Sequence, residues 1–303
     1  MKMIIDTDPG VDDAMAIFYA ALVPEIELIG LTSIFGNVTV ETATRNALRL
    51  LEMAGIDAPV AQGANKPLAR SYNPPSRDVH GAEGFGDVPA ATPNTRALDE
   101  TADAFLCRMA RAHKGELVVC AIGPITNVAN AIKRDPEFAR NVKQIVFMGG
   151  AANVCGNITE FAEANTFNDP HALNVVVNSG AKTVMVGLDV TMQVLLKSDD
   201  FAKLANGSPN LGGFLQDASH FYLDFYKRVP KVDGCGLHDP AAVIAATHPE
   251  MFRIEQIPIE VTEDGPEIGA TKMTSNADAP HIGVCVDGDI GAVKDKFLAA
   301  FGV

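Results

Sequence analysis

A short apolar run, Met3-Ile4-Ile5, leads straight into Asp6-Thr7-Asp8-Pro9-Gly10-Val11-Asp12-Asp13, and the apolar pattern resumes at Ala14. Such a run reads as a buried strand, Pro-Gly as a turn, and Ala14-Met15-Ala16-Ile17-Phe18-Tyr19-Ala20-Ala21-Leu22 as a helix. Strand, tight turn and helix in that order open a βαβ unit, and in an open α/β sheet ligands bind at that kind of corner. The corner is crowded with charge. Four aspartates in eight positions repel one another and, unless fully solvated, need a cation or hydrogen-bond donors to offset the cost.

The same alternation continues along the chain. Strands are predicted at residues 2–5, 27–34, 116–122, 144–148 and 182–188, with helices at 11–23, 39–54, 101–114, 125–134, 170–179 and 218–227. Val- and Ile-rich strands separated by helices predict an α/β fold with a mostly parallel central sheet flanked by helices. Strand-like alternation at 254–262 and 281–286 around a polar stretch predicts a C-terminal antiparallel hairpin, followed by a last helix over 290–301. No repeat, linker or composition shift divides the 303 residues, so a single catalytic domain spanning residues 1–303 is expected. Residues 65–94 and 155–168 resist regular structure, and long irregular loops inside a compact domain are usually functional or mobile.

Composition narrows the partners. A net charge of −14 argues against nucleic acid and anionic membranes. Asp6 and Asp8 interrupt any apolar leader, and no apolar run is long enough to span a bilayer. Five cysteines without CxxC spacing read as reduced thiols, so a cytoplasmic protein is expected. Walker, dinucleotide-fingerprint, nucleophile-elbow and zinc-peptidase motifs are all absent from the sequence.

The aspartate cluster suits a hard cation such as Ca2+ or Mg2+. It is not an EF-hand, because Ile17 stands where that loop needs a bidentate glutamate. Helix capping by Asp12 or Asp13 accounts for one carboxylate, not four. Downstream, Gly236-Leu237-His238-Asp239-Pro240 reads either as a helix start capped by Asp239 or as a further ligand beside a proton donor. Asn37, Asn157, Glu163 and Asn165 offer the mixed donors and acceptors that a polyhydroxylated ligand needs. Tyr222 and Tyr226 share a helical face and fit either core packing or a flat ring, and His80 sits in a glycine-rich loop.

Together these segments resemble the inosine-uridine preferring nucleoside hydrolases. The resemblance rests on Asp6-Thr7-Asp8-Pro9-Gly10-Val11-Asp12-Asp13-Ala14, Phe35-Gly36-Asn37, His80-Gly81, Gly123-Pro124-Ile125-Thr126-Asn127, Met148-Gly149-Gly150, Gly156-Asn157-Ile158-Thr159, Ala162-Glu163-Ala164-Asn165 and His238-Asp239-Pro240. It implies the Rossmann-like fold of that family and a Ca2+-dependent hydrolysis of the N-glycosidic bond of ribonucleosides to free base and ribose. It further implies one Ca2+ held by Asp8, Asp13, Asp239 and the Ile122 carbonyl, with Asp8 as general base for a calcium-bound water. By the same resemblance Asp12, Asn37, Met148, Asn157, Glu163 and Asn165 hold the ribose. His80, Tyr222, Tyr226 and His238 surround the base, with His238 protonating the leaving group, and Asp6 supports the loop from behind. A homodimer or homotetramer is implied as well. The family's usual loop reads Ala-Glu-Phe-Asn, whereas this chain has Ala164 between Glu163 and Asn165, and Thr166-Phe167-Asn168 after it is also atypical. Two other readings compete: a catalytically weak calcium-dependent nucleoside- or ribose-binding protein, and a Mg2+ phosphohydrolase built on Asp6 and Asp8. Pro9-Gly10 weakens the second.

Overall fold

A computed structural model describes residues 1–276 and 278–303. The described residues form a nine-stranded sheet and a separate two-stranded one. In chain order the strands are β1 Lys2–Thr7, β2 Glu27–Ser33, β3 Val60–Gln62, β4 Val118–Ala121, β5 Gln144–Met148, β6 Thr183–Val186, β7 Leu195–Leu196, β8 Cys235–Gly236, β9 Phe252–Val261, β10 Thr271–Met273 and β11 His281–Gly288. The large sheet runs β10-β9-β11-β6-β5-β4-β1-β2-β3, parallel from β11 through β3 and antiparallel at β11-β9 and β9-β10. The mostly parallel α/β sheet expected from sequence is therefore present.

Side-chain alternation explains why the sheet is covered on both faces. Met3 and Ile5 enter one hydrophobic cluster and Ile4 the other. Val118 and Cys120 in β4, and Val146 and Met148 in β5, join Met3, while Val119, Ala121, Ile145 and Phe147 join Ile4. Successive strand residues point to opposite faces, so a strand buried on both sides is apolar throughout. The first helix, Val11–Leu22, and the helix His238–Thr247 pack on the Met3 face. Helices Ala102–Ala112, Thr126–Arg134 and Pro170–Val177 pack on the Ile4 face.

The order of the strands positions the site. From β1 the chain adds β2 and β3 on one side, then crosses to β4, β5 and β6 on the other. The loops after β1 and β4 therefore diverge, opening a crevice at the carboxyl ends of the strands.

Three expectations need correction. The C-terminal hairpin is a three-stranded unit: β10 forms within the polar stretch and pairs with the free edge of β9, from Thr271 opposite Val261 to Met273 opposite Ile259. Asp239 does not cap a helix, because the helix begins at His238 with Leu237 as the cap, and Asp239 stands in its first turn. Residues 65–94 and 155–168 are not wholly irregular, since Arg77–His80 and Ala164–Asn168 are helical, the second capped by the Glu163 side chain. Four of the five free cysteines are buried, but Cys155 is exposed.

Candidate active site

Asp8 leaves the end of β1, and Asp12 and Asp13 open the first helix. All three are buried, as is Asp239 from the opposite side of the crevice. Carboxylate oxygens of Asp12, Asp13 and Asp239 lie within 4.8 Å of one another. Asp12, expected on the ribose, thus belongs to the tight triad, and Asp8 stands beside it.

Donors are shared unevenly. Asp13 is the best supplied: Oδ1 accepts from Thr7 Oγ1 at 2.5 Å and Asp8 N at 3.2 Å, and Oδ2 from Gly10 N at 2.9 Å and Asn37 Nδ2 at 3.1 Å. Asp8 Oδ2 accepts from Asn37 N at 2.7 Å, and Asp12 Oδ2 from the Tyr222 hydroxyl at 3.1 Å. Asp8 Oδ1 and Asp12 Oδ1 are buried without a partner among the described residues. Burial first, and Asp13 second, push the Asp8 carboxyl well above the usual range. Asp239 is pushed well up by burial and then by Asp12, Asp13 and Asp8, and Asp13 to about 6 by burial and Asp12. No lysine or arginine among the described residues contributes to these shifts. Crowded, half-satisfied carboxylates of this kind fit a hard divalent cation, which takes oxygen ligands and removes the repulsion. The Ile122 carbonyl, just past β4, receives Asn165 Nδ2 at 3.0 Å and keeps a second lone pair for such an ion.

Asp6 is buried too but lies apart from this group. It shares the strand face of Ile4, where Oδ1 accepts from Thr32 Oγ1 and from Asn127 Nδ2 at 2.7 Å.

The sugar-side candidates converge on a short helix. Glu163 Oε2 accepts from Gly150 N and Thr166 N, both at 3.1 Å, and Oε1 from Asn165 N at 2.8 Å. Burial, against those three donors, raises its carboxyl to about 7. Asn165 Nδ2 also reaches the Met148 carbonyl at 3.2 Å, and Asn157 Oδ1 accepts from Ala164 N at 2.9 Å.

The base-side candidates form a chain of contacts. His80 Nδ1 accepts from Val11 N at 3.2 Å, so its proton sits on Nε2, and burial lowers its pKa to about 4. Its ring stacks on Tyr222 with centroids 5.2 Å apart. From Asp12 the polar contacts run through the Tyr222 hydroxyl to that of Tyr226 (3.4 Å), then to His238 Nε2 (2.6 Å), and from His238 Nδ1 to Thr191 Oγ1 (2.8 Å). Both tyrosines are buried, as core packing requires, and their hydroxyls enter this chain of polar contacts. Thr191 joins this chain of contacts and was not singled out in the sequence. It closes the short helix Leu188–Thr191 in an apolar setting that carries no chemical signal.

A family model described as inosine-uridine preferring nucleoside hydrolase matches residues 3–295. The chain belongs to the inosine-uridine preferring nucleoside hydrolase family. Uridine nucleosidase 1 of Arabidopsis thaliana is 40% identical, over 98% of this chain and 93% of that protein. A plant nucleoside hydrolase structure, the PpNRh1 enzyme, superposes with a TM-score of 0.94 at 36% identity, covering 99% of this chain and 98% of its own. The purine-preferring ribonucleoside hydrolase from Gardnerella vaginalis gives a TM-score of 0.95 at 35% identity, with the same coverage. As a nucleoside hydrolase the protein is an enzyme that hydrolyses ribonucleosides. No helix among the described residues is long and apolar enough to cross a membrane.

Proposed function

We propose that this nucleoside hydrolase is a single-domain, Ca2+-dependent enzyme that releases base and ribose with Asp8 as general base and His238 serving the leaving group. The observation that carries the reading is the pairing, in one crevice, of the buried Asp12-Asp13-Asp239 triad and the neighbouring Asp8 with the Tyr222-Tyr226-His238 chain. Asp8, Asp13, Asp239 and the Ile122 carbonyl would hold Ca2+, with Asp12 at its edge. When bound, the ion would make a nearby water easier to deprotonate and offer sites to ribose hydroxyls.

The remaining steps belong to side chains. Asp8 Oδ1, buried and unpartnered, accepts the proton of the attacking water. As the C1′–N bond breaks, positive charge builds on the sugar and the bonding electrons pass to the base. Asp12 and Glu163 face the sugar side and stabilise that charge, while Asn37, Asn157, Asn165 and Met148 hold the ribose. The base takes one proton: Tyr226 gives up its hydroxyl proton and takes back the one on His238 Nε2, which solvent replaces, while His80 Nε2–H offers a hydrogen bond from the other side. Burial lowers the His238 pKa, so it works from the neutral form, with Tyr226 and Thr191 fixing its two nitrogens.

The relatives are named for uridine in one case and purines in another, which supports testing both classes of base. Incubation with inosine, uridine and cytidine in calcium-replete buffer should release free base, and release of none would overturn the reading. A cytoplasmic homodimer or homotetramer, as the resemblance implies, completes the proposal.

A further inference from the structure

Segment 68–76 bridges two parts of the sugar side. At one end Leu68 N donates to Asp169 Oδ2 at 2.8 Å, and Asn73 Nδ2 to Asn168 Oδ1 at 3.0 Å. Between them Arg70 donates through Nη1 to the Phe167 carbonyl, and its guanidinium lies over the Phe167 ring, 4.1 Å from the centroid. At the other end Ser76 N donates to the Asn37 carbonyl at 3.1 Å, and Tyr72 packs edge-on against Phe35, ring centroids 5.4 Å apart.

The helix gripped by Arg70, Ala164–Asn168, has five residues, too few to be stable alone. It carries Asn165 and is capped by Glu163, so its placement sets where both groups stand. Thr166 Oγ1 ties it on one side to the Gly269 carbonyl at 2.8 Å. Ala164 contributes only a methyl group to its first turn. Its carboxyl end presents carbonyl oxygens, where a cation is favourable, and Arg70 supplies that cation together with a flat surface for the Phe167 ring.

We propose that Arg70, acting through Phe167, is a positioning residue for the sugar side, holding this short helix so that Glu163 and Asn165 face the ribose. The inference rests on the function proposed above. In this proposal Arg70 contacts neither substrate nor ion.

The test is steady-state kinetics on the full-length, calcium-loaded protein with uridine, and with D-ribose and uracil as competing probes. Arg70→Ala and Phe167→Leu are each expected to raise KM for uridine about fivefold and to weaken ribose inhibition by the same factor, leaving uracil inhibition unchanged. Arg70→Lys keeps the charge and a donor but not the planar stack, and should recover part of the loss. Because the two residues act as one contact, the double variant should be no worse than the weaker single. A merely structural role lowers the active fraction, and hence kcat, while leaving KM and ribose inhibition untouched; that result, or full additivity, would overturn the proposal. A parent enzyme that turns over normally beside unaffected variants refutes this inference alone. A parent that releases no base refutes the function and the inference with it.

Discussion

Glu163→Gln separates stability from activity in a pH-dependent way. The native carboxylate is buried, accepts three backbone N–H groups and has its pKa raised from 4.5 to about 7, burial being the largest cause. Well below the unfolded value the group is protonated in both states and costs nothing. As pH rises the unfolded chain ionises first, and the folded chain only near the raised value. Stability held at low pH is therefore lost between about 4.5 and 7 and stays lost above. A shift of that size corresponds to about 3 kcal/mol, of which about 2 kcal/mol falls between about pH 5.5 and pH 8. Glutamine does not titrate. Its carbonyl can serve Gly150 N and Thr166 N, but its amide then faces Asn165 N, donor against donor, at a cost of about 1–3 kcal/mol. The variant should be destabilised near pH 5.5 and close to its parent near pH 8. Activity at pH 8 should nonetheless fall about a hundredfold, because a carboxylate facing the cationic sugar has gone. Urea unfolding of metal-free protein at the two pH values, followed by far-UV circular dichroism, reads the first quantity, and kcat/KM for uridine the second. Equal destabilisation at both pH values would refute the account of the buried charge, and unchanged kcat/KM would remove Glu163 from the sugar side.

Gly123→Ala places a methyl carbon 2.3 Å from Asp8 Oδ1, which must rotate away; activity should drop more than about a hundredfold with the circular dichroism spectrum intact, and a fully active variant would show that the Asp8 orientation is immaterial. Asp8→Ala should lose calcium binding by calorimetry together with turnover, whereas His238→Ala should keep calcium and lose purine cleavage. Equal calcium loss in both contradicts that division of roles.

What was legible in the sequence follows from burial. Met3-Ile4-Ile5 and the runs in β4, β5 and β6 are apolar throughout because helices cover both faces of the sheet, and that continuity is visible in one dimension. β10 is not visible, because it pairs on one side only and leaves Lys272 and Met273 exposed, with no alternation to read. The extent of the helix His238–Thr247 is hidden for the opposite reason. It is buried nearly all round, from His238 to Ala246, so no polar face marks its period.

The site obeys the same geometry, and the sequence misleads there in an instructive way. Four aspartates in one short segment look like one cluster, yet strand alternation places Asp6 with Ile4, where Oδ1 meets Thr32 and Asn127 away from the crevice and Oδ2 has no partner among the described residues. Its place is taken by Asp239, which no spacing rule connects to Asp8; the residues alone left it either a helix cap or a ligand, and the motif resemblance favoured the ligand. Arg70 carried no signal, since a basic residue in a proline-rich loop is normally solvated. Only the fold shows that it lies on Phe167, within a segment that departs from the family's usual loop. Segment 68–76, reached from β3 on the edge of the sheet, lies on this loop at Phe167 and ends on the backbone of Asn37. The two walls of the sugar side are therefore joined by one strap, so a change at either wall should be felt at the other.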